Sequence, residues 1–262
     1  MGMPHRVGPP TLVLAKSTSA EPRETLQLAL VPSRVGLWLG VITALLLVAH
    51  DIVIGISVFS GHQRLYGLTP LFNLDDEQNI PTLFSSLLDF AGAGLCVLLW
   101  RIGAPGGTRD AMWPVLAAAL AWVGLDEFCS IHESIVRPLQ NEFHFTGLLY
   151  FAWVVPYGLA VIALGVALIP FLWRLPPRTR WLMLASSALY LFGALFLESL
   201  GGAIWEVTPY KFAPAWLLLT TFEETMEMAG MVLFIYAALD LLVRVRGAIH
   251  IVLRVSPTEP EL

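Results

Sequence analysis

The chain is poor in charged residues and in cysteine. Of its 262 residues, 13% are Asp, Glu, Lys or Arg and two are cysteine, whereas 56% are hydrophobic. So little charge excludes an ordinary water-soluble domain and is typical of a helical membrane protein. The two cysteines, Cys96 and Cys129, lie in separate apolar runs and predict packing residues without a disulfide framework.

Several functional motifs are also missing. The sequence has no Walker motif, no dinucleotide-binding glycine fingerprint and no His-Glu-x-x-His. No lysine lies within an apolar run, which excludes a retinal Schiff base. The loops are short and add no soluble domain, so any chemistry is expected among the helices. We expect no nucleic-acid partner.

The chain does contain six apolar runs long enough to cross a bilayer. They predict an all-α, multi-pass integral membrane protein of the plasma (inner) membrane, with one six-helix bundle over residues 35–243. Residues 1–34 and 244–262 are predicted to be tails, which are flexible before Val35 and after Arg254, and the first span is predicted to be an uncleaved anchor. The predicted spans are Val35–Phe59, Pro81–Trp100, Met112–Val136, Gly147–Trp173, Trp181–Trp205 and Pro214–Val243.

The distribution of basic residues predicts the orientation. Six spans place both tails and the second and fourth loops on one side, and roughly twelve of the basic residues belong to that side. The opposite side has only Arg64, Arg137 and Lys211. Because positive loops stay in the cytoplasm, both termini are predicted to be cytoplasmic.

The most informative feature is a set of carboxylates inside the apolar runs. An ionised side chain near the bilayer centre costs about 2.5–3.5 kcal/mol even on insertion scales, so these acids cannot all face lipid. They are expected to face one another, with protons or a bound cation cancelling their charge. The acids are Asp51, Asp89, Asp126, Glu127, Glu133, Glu198, Glu223, Glu224 and Glu227.

Helical geometry groups most of these acids on facing helices. At 1.5 Å per residue they fall near the membrane centre or in the half away from the termini. A continuous third helix would present Asp126, Glu127, His132 and Glu133 on one broad face, together with Cys129. The fourth span has no acid or base, and is predicted to lie at the periphery or to form a dimer contact.

Carboxylates and imidazoles from several helices are the ligands of a bundle-core metal site. The closest chemical analogy is the di-iron or di-manganese carboxylate bundle, although Glu-x-x-His is absent. Oxygen-rich ligands favour iron, manganese or zinc over copper, and the alternative is a network of protonated carboxyls. The predicted ligands of a mono- or dinuclear site are His50, Asp51, Asp126, Glu127, His132, Glu133, Glu198, Glu223, Glu224 and Glu227.

The loop before the second span carries three further acids, Asp75, Asp76 and Glu77. One interpretation is helix-start chemistry, with Asn79 as the N-cap and Pro81 in the first turn. The other is an acidic mouth or lid that attracts cations.

Two functional classes follow from these residues. The first is a metal-dependent membrane oxidoreductase or hydrolase that acts on a lipid-like or other small substrate, with Glu224 or Glu133 as general base. The second is a cation or proton-coupled transporter that uses the same acids. The half of the spans nearer the termini is almost free of ionisable groups, which favours the enzyme. A homo-oligomer is compatible with the sequence.

Overall fold

The computed structural model describes residues 25–103, 110–247 and 249–254. The predicted flexible tails lie in part outside these residues, namely 1–24 and 255–262. The chain divides into two compact units, a helical one over Leu30–Ile249 and a second one formed by the chain ends. In the latter region β1 (Thr25–Leu30) and β2 (Ile249–Arg254) pair as a two-stranded sheet, which the sequence did not predict.

The helical unit contains several long helices. Six of its helices, within the described ranges, are long and apolar enough to cross a membrane, which confirms an integral membrane protein with six candidate spans. The helices are α1 (Pro32–Ser60), α2 (Leu68–Phe72), α3 (Ile80–Arg101), α4 (Met112–Cys129), α5 (Ile131–Phe143), α6 (Val154–Arg174), α7 (Pro177–Leu191), α8 (Glu198–Val207) and α9 (Pro214–Arg246). A π-helical segment, Phe192–Leu197, joins α7 to α8, so that these three pieces form one span.

The predicted third span, Met112–Val136, was wrong from Ser130 onward. α4 ends at Cys129, and Ser130 takes a left-handed conformation with φ 54° and ψ 42°. The backbone N–H of His132, which a continuing helix would give to Phe128, instead donates to the carboxylate of Asp126. His132 and Glu133 therefore belong to the separate, amphipathic helix α5, and do not share a helix face with Asp126.

The first and last spans, α1 and α9, run in opposite directions. Gly36 of α1 lies beside Tyr236 of α9, while His50, further along α1, meets Thr221 near the start of α9. We call the side with the start of α1 and the end of α9 the termini side. The other, which carries the loops after α1 and α4, is the distal side.

The buried apolar core lies mainly in the termini-side half. α9 packs against α1, α3 and α7. Trp113, Phe171, Met183 and Leu241 are at most 3% exposed there, and the rings of Trp113 and Phe171 meet edge to face. Because this half has a dense apolar interior, polar groups that require water or ions gather in the distal half.

Glycine permits the closest contact between α7 and α9. A side chain on Gly230 would stand 2.8 Å from the backbone nitrogen of Tyr190 and 3.0 Å from the backbone oxygen of Ser186. The hydroxyl of Ser186 also donates to the carbonyl of Gly230 at 2.9 Å. Since backbone atoms cannot rotate away, a residue larger than glycine would separate the two helices.

Gly230→Ala is therefore expected to lower the melting temperature in detergent, with a loss of about 1–3 kcal/mol from overpacking. Gly165→Ala is the matched control, because a side chain there meets nothing within 4 Å. A Gly230→Ala protein as stable as the Gly165→Ala protein would contradict the close α7–α9 contact.

Candidate functional site: an acid-lined cavity

A cavity of about 840 Å³ lies between α4, α5, α6, the fifth span and α9, and the loop before α3 covers part of it. Its lining combines many carboxylates with few basic groups and several aromatic rings. The acids that line it are Asp75, Glu77, Asp126, Glu127, Glu133, Glu198, Glu223, Glu224 and Glu227, and the basic residues are His132, Arg137 and Lys211.

Most of the predicted ligands meet at this cavity. The fifth span and α9 bring their acids to it, and the α4–α5 turn brings the others. The predicted residues that line the cavity are Asp126, Glu127, His132, Glu133, Glu198, Glu223, Glu224 and Glu227. His50 and Asp51 do not line it.

His50 is a buried packing residue whose two ring nitrogens are already engaged. Its Nδ1 accepts the backbone N–H of Leu74 at 3.0 Å, so the neutral ring carries its hydrogen on Nε2. That N–H points to the hydroxyl oxygen of Thr221 at 3.3 Å. His50 thus ties the loop before α3 to α1 and α9.

Two other acids lie away from the cavity. Asp51 is exposed on the outer surface of α1, beside Ile52 and Ile56. Asp89 is buried against α4 beside Gly124, where its Oδ1 has no hydrogen-bond partner among the described residues. Membership of an apolar run was therefore not enough to identify a cavity residue.

The α9 wall of the cavity depends on a glycine in the opposing span. A side chain on Gly193 would stand 2.8 Å from the backbone oxygen of Glu223 and 2.8 Å from Cγ of Glu227. This approach brings the α9 acids beside the π-helical segment. Glu198 follows that segment, and its Oε1 accepts the indole N–H of Trp153 at 3.0 Å.

Asp126 organises the turn between α4 and α5. Its Oδ1 accepts the backbone N–H of His132 at 3.0 Å and the hydroxyl of Tyr157 at 2.7 Å. Its Oδ2 lies 3.0 Å from Nδ1 of His132. One carboxylate therefore satisfies a free donor at the start of α5, attaches α6 and orients an imidazole.

The other nitrogen of that imidazole faces the loop before α3. Nε2 of His132 lies 3.3 Å from Oε1 of Glu77, and the ring packs on Trp153 with centroids 4.7 Å apart. The second oxygen of Glu77 is buried and has no hydrogen-bond donor among the described residues. Glu77 thus offers an unsatisfied acceptor at the cavity.

The environment shifts the proton affinity of both groups. Burial raises the pKa of Glu77 to about 8, although the charge of His132 lowers it. Burial alone would lower the pKa of His132, but the hydrogen bond with Asp126 and the charge of Glu77 raise it to about 9. With pKa values of about 8 and about 9, both Glu77 and His132 hold a proton at neutral pH, and a metal ion bound between them would displace these protons.

The rest of that loop covers part of the cavity at the distal side. Asp75 accepts the indole N–H of Trp216 at 2.8 Å and pairs with Lys211 at 3.3 Å. Burial raises the pKa of Asp75 to about 6 despite the charge of Lys211. The side chain of Asn79 accepts the N–H of Thr82, which confirms the predicted N-cap of α3.

The acids surround a common space without forming a compact ligand set. Among the described residues, no group of three His, Cys, Asp or Glu side chains converges at metal-ligand spacing. The contribution of α6 was also not predicted, since this span was expected at the periphery. Tyr157 and Trp153 reach the cavity through an O–H and an N–H at the distal end of α6, and such polar aromatic tips were the available signal.

A protein family described as a domain of unknown function (DUF8692) matches residues 38–242. The chain belongs to this family. The DUF8692 range contains every residue that lines the cavity, so the cavity lies within the part of the chain shared with the family. No curated protein and no solved structure matches the chain.

Asp126→Ala is expected to destabilise α5, because it removes the acceptor of the His132 N–H and the partner of the imidazole. Loss of a helix-start acceptor alone costs about 0.5–2 kcal/mol. Hydrogen exchange of the α5 amides should accelerate in Asp126→Ala. The exchange rates in Asp126→Asn should lie between those in Asp126→Ala and those in the native protein. Glu142→Ala, an exposed change on the same helix, is the control; equal exchange in Glu142→Ala and Asp126→Ala would refute this role.

Proposed function

We propose that the cavity binds a divalent or transition metal ion and that the protein is a membrane metalloenzyme for a lipid-like or other small substrate. The observation that carries the proposal is the pair formed by Glu77 and His132. Its oxygen and nitrogen face each other at 3.3 Å over a cavity lined by further carboxylates.

The spacing of this pair suits two ligands of one metal ion. A zinc-like ion holds its ligand atoms at about 2.1 Å. If Nε2 of His132 and Oε1 of Glu77 both bound one such ion, their observed separation of 3.3 Å would correspond to a ligand–metal–ligand angle of roughly 100°. That angle is close to tetrahedral. Iron, manganese and zinc all accept such oxygen and imidazole donors.

The partner on the other side of the imidazole supports this assignment. Metal-binding histidines usually donate their second ring N–H to a carboxylate, which fixes the ring and makes it a better ligand. Asp126 occupies that position, with Oδ2 3.0 Å from Nδ1 of His132. Asp126 would therefore orient the ligand and not bind the metal itself.

The remaining ligands would come from acids that face the same space. Glu127, Glu198 and Glu224 line the same cavity as the Glu77–His132 pair. Side-chain rotation of one or two of these acids would complete the site. Glu224, or the exposed Glu133 at the cavity rim, would then remain as a general base.

Charge balance favours a cation over a proton network. Nine acids line the cavity against Arg137, Lys211 and His132. Neighbouring carboxylates in a poorly solvated site repel one another, so each additional charge is harder to maintain. One divalent ion reduces this repulsion for several acids at once, whereas protons must neutralise them one by one.

The apolar core favours an enzyme over a transporter. Below the cavity, on the termini side, Trp113, Phe171 and Met183 fill the interior and are at most 3% exposed. A transporter requires a polar route to both faces, whereas a catalytic site requires only one. The excess of basic residues on the termini side would place both termini in the cytoplasm and the cavity toward the other face of the plasma (inner) membrane.

Purified protein is expected to contain iron, manganese or zinc at one or two ions per chain. Loss of one metal-ligand contact should weaken binding at least tenfold, as loss of an outer partner does. Glu77→Gln and His132→Gln should each show this effect in competition with a metal-sensitive dye. Asp51→Asn is the matched control, because Asp51 is away from the cavity.

The same measurement separates the proposal from the protonated network. A native protein without stoichiometric metal, whose melting temperature is unchanged by chelators, would contradict metal binding. If the native protein and Glu77→Gln bound the metal ion with equal affinity, Glu77 would not be one of its ligands.

Sealed vesicles test the choice between enzyme and transporter. The enzyme proposal predicts that metal added to one side binds to the protein but does not accumulate in the lumen, because the termini-side core is closed. Accumulation that depends on Glu77 and on an ion gradient would favour the transporter.

A further inference from the structure

The size of the cavity exceeds what a metal ion requires. At roughly 30 Å³ per water molecule, a volume of about 840 Å³ holds roughly 28 waters. Sites of 300–1,000 Å³ are typical of small-molecule ligands. The space beside the metal pair is therefore large enough for a substrate, and its lining indicates which kind.

One part of the lining is apolar. The residues concerned come from three different spans and are each half-buried, so they are accessible from the cavity. This apolar slot consists of Val123, Val161, Leu191, Ala194 and Leu195. Alkyl chains gain from such surroundings, whereas ions and sugars do not.

The slot exists because α6 is attached mainly at its ends. Tyr157 bonds to Asp126 near the distal end, and Phe171 packs on Trp113 near the other. Between these contacts, a side chain on the half-buried Gly158, one turn before Val161, would meet nothing within 4 Å. The middle of α6 therefore leaves room beside Val161.

The π-helical segment forms the facing wall of the slot. π-bulges in helices often occur at functional sites. Here Ala194 and Leu195 of this segment line the slot, and Glu198 directly after it lines the acidic part. One stretch of chain thus carries both the apolar and the acidic surface.

The carboxylates that line the rest of the cavity determine which charge a ligand can carry there. Counted as fully ionised, nine acids against three basic groups leave the cavity formally negative even when one divalent ion is bound. An anionic head group would be repelled. An ammonium group would be attracted by the acids and by aromatic faces such as those of Trp153, Tyr157 and Trp216.

We infer that the cavity binds a single-chain amphiphile with an ammonium head group. The head group lies among the acids beside the Glu77–His132 pair, and the alkyl chain occupies the apolar slot above Phe171. This inference deepens the proposed function by naming its substrate class, and its meaning for catalysis rests on that function. Binding itself is tested without activity or metal.

The test measures how fast a cysteine in the slot reacts with N-ethylmaleimide in liposomes. Val161→Cys is placed in a Cys129→Ala background, because Cys129 is exposed and lines the cavity, whereas Cys96 is fully buried. Ile162→Cys is the matched control, since Ile162 is the next residue and is 64% exposed. The probes are dodecyltrimethylammonium and dodecanoate, at equal mole fractions of a few per cent in the membrane.

Dodecyltrimethylammonium is expected to slow the reaction of Val161→Cys about tenfold, which corresponds to roughly 90% occupancy. Dodecanoate has an alkyl chain of similar length but a head group of opposite charge. Because it should occupy less than half of the sites, it should slow the reaction of Val161→Cys less than about twofold. Ile162→Cys should respond to neither. A second pair of variants, Leu195→Cys in the slot and Phe196→Cys on the outer surface, should behave in the same way. This pair keeps the test valid if the variants at positions 161 and 162 do not fold.

Three outcomes would overturn the inference: no slowing in either slot variant, equal slowing by both probes, or equal slowing in the slot and surface variants. Repeating the assay with chelator and with Glu77→Gln separates it from the proposed function. Charge-selective slowing in metal-free protein would support the amphiphile site even if the protein bound no metal. Metal binding without such slowing would retain the proposed function and reject the amphiphile.

Discussion

The carboxylate of Asp126 is the contact on which the arrangement of the distal half depends. It accepts a backbone N–H at the start of α5, the hydroxyl of Tyr157 and a hydrogen bond with Nδ1 of His132. A continuous helix would have carried His132 upward on α4. Because the chain turns at Ser130 instead, the imidazole is directed toward Glu77 and α6 is held at the cavity edge.

The cost of burying charge accounts for the division of the molecule into two halves. Carboxylates are costly in a membrane unless they face a polar or ion-filled space, and here most of those in the spans, but not Asp51, Asp89 or Asp240, are collected around one cavity. The termini-side half is instead filled by apolar residues from α3, α4, α6, α7 and α9. The glycines at positions 193 and 230 permit the α9 approach that both halves require. The termini-side half thus holds a dense apolar core, and the distal half holds the acid-lined cavity.

Hydrophobicity was sufficient to predict the six spans, because each apolar run is long enough and the loops between them are polar. It could not predict which helix faces point inward, since lipid is as apolar as a protein core and leaves little periodic signal. For this reason the exposed position of Asp51 on α1 and the hydrogen-bonded role of His50 were not foreseen. The eight other predicted ligands line the cavity because they lie on α4, α5, α8 and α9, which surround it.

The break at Ser130 and the role of Glu77 depended on contacts distant in sequence. The left-handed residue is supported by hydrogen bonds to Asp126, and no local glycine or proline marks it. Glu77 precedes a helix start and fits helix-start chemistry equally well; only the fold brings it to the ring of His132. Such residues are identified by tertiary structure and not by local pattern.

X-ray absorption spectroscopy of the metal-loaded protein tests the metal pair most directly. The Glu77–His132 site predicts a first shell of oxygen with one imidazole nitrogen, recognised by the scattering of its outer ring atoms. His132→Gln should remove the imidazole signal, while Asp51→Asn should leave it unchanged. A shell of oxygen alone in the native protein, or an imidazole signal that persists in His132→Gln, would contradict the assignment.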